Sequence, residues 1–389
     1  MRLTALLLLC CCLVLAQPNS LTPKEVAEGW ILLFDGETLF GWTSEGAAGW
    51  RVAGGAIVAA FGDKGWLRTN SVFADYILTC EFRGAKDVNS GLFIRSAKEG
   101  APHETGYEVQ IWDQNLKFPT GSLVNHIRAR KAALKADEWN RYEIEARGER
   151  FVVRLNGKKI LDDRDAKSKL GHIGLQYNKD NRIEFRNLKL KPLGLAPVFN
   201  GKDLAGWRVV DAPKPPQAPP EWSVRNGAIH VEKGPGQLET ETEYGDFILQ
   251  LDIRTNPQGP DHHPNSGVFF RGDPKGYWTG YESQIRNEYK EGDPAQPVDW
   301  GTGAIYNRQA ARKVVPNDGV YFTKTIVARR RHMAVWVNGY PVTDWEDTRP
   351  EGKNARQEAR LAPGPISLQA HDPTTNLDFR NIRVAQLPR

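Results

Sequence analysis

Two short stretches hold the side chains best suited to chemistry in this 389-residue chain. Gly106-Tyr-Glu-Val-Gln-Ile111 and Gly280-Tyr-Glu-Ser-Gln-Ile285 each set a glutamate and a glutamine two residues apart. Side chains alternate between the faces of a strand, so Glu108 projects with Gln110, and Glu282 with Gln284. A carboxylate beside an amide is not a core pattern, because a carboxylate buried without a partner is strongly disfavoured. Asn89-Ser-Gly-Leu-Phe-Ile-Arg95 and Asn265-Ser-Gly-Val-Phe-Phe-Arg271 add amides and a cation. One reading is a substrate site with a proton-transferring carboxyl. The other is an Arg–Glu structural pair buried across strands.

The histidines distinguish the two sets. Leu368-Gln-Ala-His371 aligns with Leu175-Gln-Tyr-Asn178, and His126 stands where the other copy has Arg308. An imidazole titrates near neutrality, which suits proton transfer. Asp261-His262-His263 resembles a metal cluster, but an extended surface loop is the favoured reading and a divalent ion the minority one. Adjacent histidines rarely point at one ion, and the matching stretch is Lys86-Asp87-Val88. No nucleotide loop, zinc motif or nucleophile elbow is present; Gly54-Gly55 lacks the helix a phosphate site requires. Trp42 and Trp207, like Trp50 and Trp222, match between copies and read as core. Trp66, Trp112, Trp278, Trp300 and Trp345 have no aromatic match, and such faces stack on sugar rings or pack between domains.

These sets belong to a duplication. Phe34-Asp-Gly-Glu-Thr-Leu-Phe-Gly-Trp42 returns as Phe199-Asn-Gly-Lys-Asp-Leu-Ala-Gly-Trp207. Leu155-Asn-Gly157 answers to Val337-Asn-Gly339, and Phe185-Arg-Asn187 to Phe379-Arg-Asn381. The period is far longer than that of solenoid units, so whole domains repeat. Period-two alternation predicts strands at 77–82, 142–146, 151–155, 247–253 and 334–337. Asn156-Gly157 and Asn338-Gly339 predict hairpin turns. Many short strands with Gly and Pro turns make this an all-β sandwich or barrel protein. The boundary falls near Pro192–Pro197. The second copy lengthens 256–264, 289–300 and 347–363 and inserts a proline-rich loop at 212–220, so it has more site-building loop.

Lys plus Arg number 52 against 47 Asp plus Glu, and the net charge of +5 gives no electrostatic case for nucleic acid or anionic membrane. Residues 1–16 read as a signal peptide, too short to span a membrane, with Val14-Leu15-Ala16 before the cut. Three of four cysteines lie in that leader, so only Cys80 remains and no intramolecular disulfide forms. Bulky or Cys neighbours disfavour lipid attachment. The expected location is periplasmic or secreted.

With these motifs in order, the chain resembles the family of 3-keto-glucoside 1,2-lyase/3-keto-2-hydroxy-glucal hydratases, over 29–191 and 196–387. The resemblance implies two tandem concanavalin A-like lectin/glucanase jelly-roll β-sandwiches and a glycoside oxidised at C3 as substrate. It implies proton transfer by Glu282 or His371 in the second copy, with Asn265, Arg271, Gln284, Tyr306 and Gln369 binding substrate. Glu108 and His126 take those parts in the first copy, beside Asn89, Arg95, Gln110, Trp112 and Gln176. Asn178 departs from the pattern, which favours the second copy as the active one. No cofactor is assigned, a divalent cation staying open. The alternative function is a carbohydrate-binding jelly roll without turnover.

Overall fold

The computed structural model describes residues 17–179 and 181–388. The leader expected over 1–16 lies outside them. Both copies are antiparallel β-sandwiches of jelly-roll type, concanavalin A-like in layout, with their cores between two curved layers. In the first copy, the Ala56–Thr69 strand runs through both layers, so they join as one 11-stranded sheet. It pairs with Ile183–Pro192 through Ile57 to Ala59, and with His172–Tyr177 through Gly65 to Arg68. In the second copy that path divides into Ala228–Glu232 and Gly236–Tyr244, leaving an 8-stranded and a 5-stranded sheet.

The predicted hairpins form where the Asn-Gly pairs stand. Asn156 and Gly157 have φ of 50° and 83°, Asn338 and Gly339 48° and 74°, the positive pair a type I′ turn needs. Trp42 and Trp207 are buried and donate their indole N–H to Leu33 O at 2.5 Å and Val198 O at 3.0 Å. Cys80 is buried and unpaired, its thiol pushed up by burial.

The copies are packed together. Trp336 and Ile248 of the second copy belong to the first copy's hydrophobic cluster. Trp336 Nε1 donates to Leu32 O at 2.8 Å, Leu32 N to Gly339 O at 2.8 Å and Gln250 Nε2 to Gly29 O at 2.8 Å. The segment from Gly29 to Leu33 is thus held from both sides.

The expected pairing of Arg95 and Arg271 with the motif glutamates does not form. Strict alternation would place each with its glutamate, but φ is +52° at Arg95 and +54° at Arg271, and the side chains turn to the sandwich edge. Arg95 donates to Ala74 O, Gly148 O and Ser168 O and pairs with Asp75 at 2.9 Å. Arg271 does the same with Gly245 O, Arg330 O and Arg360 O, and pairs with Asp246 at 2.9 Å. Both are at most 1% exposed and tie loops together, away from the motif carboxylates.

Candidate active site on the second sandwich

The site begins with strand register. The 5-stranded sheet runs Trp207–Val210, Gly236–Tyr244, Gly364–Ala370, Ser266–Phe270, Tyr281–Ile285. Pairing aligns Arg208, Glu239, Ser367, Phe269 and Glu282 in one row across it. Gln237, Gln369, Gly267 and Gln284 form the next row. The alternating residues Leu238, Leu368 and Val268 face the core. Almost every side chain on the outer face of this sheet is therefore polar.

A Cβ at Gly267 would meet Glu282 Oε1 at 2.5 Å, and one at Gly91 would meet Glu108 Oε1 at 2.8 Å. The glycine of each Asn-Ser-Gly motif thus lets the glutamate of the neighbouring strand lie flat across the sheet. That contact explains why the two motifs recur together.

Loops then close over the face. Glu282 is 5% exposed, and Arg356 Nη2, from the lengthened 347–363 stretch, donates to its Oε2 at 2.9 Å. Burial raises the Glu282 carboxyl above its ordinary range, against the opposing effects of Arg356 and His371. Asp299, from the 289–300 stretch, accepts from Gln284 Nε2 at 2.9 Å and Asn265 Nδ2 at 3.2 Å. Asn265 Nδ2 also lies 3.4 Å from His371 Nε2. On the other side of that ring, His371 Nδ1 is 2.9 Å from Asp372 Oδ2. Burial opposes ionisation of Asp372, but bonds from Thr374 and His371 hold its carboxyl low. With Nδ1–H donated to that carboxylate, Nε2 carries a lone pair facing the polar sheet. Trp278 stacks on His371 at 5.7 Å and 9°.

Asn265 Oδ1, Gln284 Oε1 and Gln369 Oε1 are buried without a hydrogen-bond partner among the described residues. Buried polar atoms normally find partners, so three unfilled acceptors on one face are an invitation to ligand hydroxyls. Tyr306 borders the same space beside Trp300, its phenol raised by burial and by Asp299 and Glu282. Beneath the sheet, Lys324 is fully buried and donates to Ser283 O at 3.1 Å and Gln284 O at 2.8 Å. Desolvation lowers its amine to about 7. In the first copy the Tyr142 hydroxyl donates to the equivalent Gln110 O at 2.5 Å.

Of the residues the sequence marked, Glu282, His371, Asn265, Gln284, Tyr306 and Gln369 gather here, and Arg271 does not. Arg356, Asp299, Asp372 and Lys324 were missed, while Trp278 was marked only as an unmatched aromatic. The lengthened loops and the His371-Asp372 adjacency were the available signals.

The first copy keeps less of this arrangement. Glu108, Gln110 and Gln176 share the outer face, but Trp66 stands where the second copy has Gln237 and packs edge-on against Phe93 at 5.6 Å. His126 is not with Glu108. It lies 3.0 Å from Asp165 and beside Tyr107, whose ring leaves the strand on the opposite face from Glu108. Asn89 and Trp112 are half-buried, with no bond to Glu108. The Asp261-His262-His263 run is divided: His262 meets Thr374 at 3.0 Å and His263 meets Asp318 at 2.6 Å. Among the described residues no three His, Cys, Asp or Glu side chains converge as a metal site.

Glu108 is 6% exposed, and burial pushes it from 4.5 to about 7, with Gln176 opposing. A raised folded-state value contributes stability present in full below pH 4.5 and lost as pH rises to about 7, roughly 3 kcal/mol in all. Glu108→Gln is expected to stabilise the protein by about that much more at pH 8 than at pH 4. Urea unfolding at both pH values checks it; equal effects would contradict the burial argument.

Two tandem jelly rolls, one with a buried carboxyl and an Asp–His pair on its outer sheet, define a tandem β-sandwich protein with one loop-covered polar face. More particularly, the chain belongs to the family of the 3-keto-alpha-glucoside-1,2-lyase-like domain, which it matches over residues 29–191 and 194–385. That membership places it among carbohydrate-processing or carbohydrate-binding proteins. No curated protein matches the chain. Among solved structures, it is similar to a Parabacteroides distasonis protein provisionally described as a glycosyl hydrolase. The identity is 23%, over 46% of this chain and 100% of that one, with a TM-score of 0.42. It is also similar to the carbohydrate binding module CBM66 from Bacillus subtilis, at 20% identity over 38% of this chain and 94% of that one, TM-score 0.31.

Proposed function

We propose that the second copy cleaves 3-keto-glucosides by elimination, followed by hydration of the resulting glucal. The observation that carries this reading is the Asp372–His371 pair facing the same polar sheet as the buried Glu282. A ketone at C3 acidifies the hydrogen on C2, so a neutral imidazole is a sufficient base. His371 Nε2 takes that proton, and the electron pair moves onto the C3 oxygen as an enolate. Arg356 supplies the positive charge that stabilises it. The enolate then collapses, the C1–O bond breaks, and protonated Glu282 gives its proton to the departing oxygen. Water adds across the glucal double bond to complete net hydrolysis. The unfilled acceptors on Asn265, Gln284 and Gln369 receive sugar hydroxyls. Ordinary glycosidases instead flank an oxocarbenium ion with two carboxylates.

The test is NMR of the full-length protein with a 3-keto-glucoside in deuterated water. Aglycone release with deuterium at C2 is expected. Line-broadening of the sugar without conversion would move the protein to the carbohydrate-binding class. The first copy already favours that reading for itself, because Trp66 fills its face and no imidazole meets Glu108.

A pH prediction follows from Glu282 acting as the acid. Its protonated form is consumed as pH rises, so the rate falls through its pKa. Arg356 opposes protonation, and Arg356→Met therefore moves the alkaline limb of the kcat profile to higher pH. A limb that moves down or stays put contradicts the assignment. We also propose, from the leader-like residues 1–16, that the mature protein begins at Gln17 and lies outside the cytoplasm, which N-terminal sequencing of the exported form checks.

A further inference from the structure

We propose that the cleft between the two copies binds a saccharide bearing an anionic group, a uronic acid being the simplest. The cleft holds about 630 Å³ and is separate from the Glu282 site. That is the size of a small-ligand site. Its walls come from both copies: Arg68, Lys98 and His172 from the first, Arg330, Arg331 and His332 from the second.

The walls are fixed at one point. Asn70 Nδ2 donates to Asp344 Oδ1 at 2.8 Å, and His332 Nε2 lies 3.2 Å from Asp344 Oδ2. His332 Nδ1 is left buried with no partner among the described residues. His172 turns Nδ1 to Thr69 O at 2.7 Å, which leaves its Nε2 edge for a ligand. Buried polar atoms without partners are uncommon enough to need an occupant.

Charge decides what kind. Five Lys or Arg side chains line the cleft against three carboxylates. Arg68 is paired with Glu45 at 2.9 Å. Lys98 and Arg330 are exposed and have no ion pair among the described residues. Arg329 is paired with Asp246, and Arg331 is held by Asp347 O at 3.1 Å and Arg349 O at 2.7 Å with Glu351 3.9 Å away, so Lys98 and Arg330 are the wall cations left for a ligand. One unpaired cation from each copy leaves the cleft with positive charge that an anionic ligand would meet. A planar carboxylate suits guanidinium donors, which bind it through paired N–H groups. Thr43 Oγ1, half-buried on the same wall, donates to Asn70 Oδ1 at 2.6 Å and keeps its lone pairs for a sugar hydroxyl, which a bare anion does not supply.

The proposal does not depend on the elimination chemistry. Isothermal titration of the full chain at low ionic strength with glucuronate, glucose and inorganic sulfate tests it. Glucuronate is expected to bind at least about tenfold more tightly than either of the others, since only it offers both charge and hydroxyls. The Lys98→Ala/Arg330→Ala double variant changes exposed side chains only. It is expected to lose about tenfold in glucuronate affinity while turnover of a 3-keto-glucoside is unchanged. Absence of glucuronate binding overturns the proposal. So does equal binding of sulfate and glucuronate, or affinity insensitive to the double variant.

Discussion

Replacing His371 by asparagine, the residue that the first copy carries at Asn178, is expected to lower kcat on a 3-keto-glucoside by about 10²- to 10⁴-fold, the usual contribution of a positioned acid or base. Among the described residues, the substitution removes the only imidazole whose Nε2 faces the polar sheet with its Nδ1 held by a carboxylate. It should leave the fold alone, because the His371 side chain is 37% exposed and its loss opens no cavity in the core. Glu282→Gln tests the other partner, keeping shape while removing the transferable proton. Its loss is expected in the same range, with KM moved little because the remaining face still holds the sugar. Steady-state kinetics and thermal unfolding on the same preparations separate chemistry from stability. Full turnover in both variants would remove the second copy from the reaction.

The second large effect is one of stability. Arg271→Ala is expected to destabilise the protein by about 3–5 kcal/mol, because it removes the donor from three backbone carbonyls and takes one of two guanidinium partners from Asp246, which keeps Arg329. Arg271→Lys keeps the charge but not the fork, so it recovers only part of that loss. Guanidinium unfolding followed by tryptophan fluorescence gives both values. An Arg271→Ala protein of normal stability that no longer bound sugar would return this residue to the substrate site.

That arginine also marks where the sequence was readable and where it was not. The duplication, the hairpins at Asn156 and Asn338 and the polar face under Glu282 follow from local rules, since period-two alternation and turn chemistry depend on neighbouring residues. Alternation predicts the wrong place for Arg95 and Arg271, because one residue at positive φ reverses the pattern and nothing in a strand-like sequence announces it. His126 misled for a related reason: matching positions in the two copies need not face the same side once a loop intervenes. Asp299 and Arg356 were out of reach because both come from insertions without a counterpart in the first copy, and only the fold brings them to Glu282. Lys324 reads as an ordinary polar position in its strand, yet its amine crosses the interior to the back of the site strand.

The held segment from Gly29 to Leu33 bears on the history of the chain. Its carbonyls are capped by Gln250 and Trp336, and Trp336 completes the other copy's core. A lineage that lost the first half would have to bury an exposed indole, and one that lost the second would have to re-satisfy a stranded strand. Duplication is ordinarily reversible, one redundant copy decaying while the other carries on. Here mutual dependence acts as a ratchet: the first copy is free to depart from the second, as it does at Asn178 and Trp66, but the second copy's need for its surface keeps it in the gene.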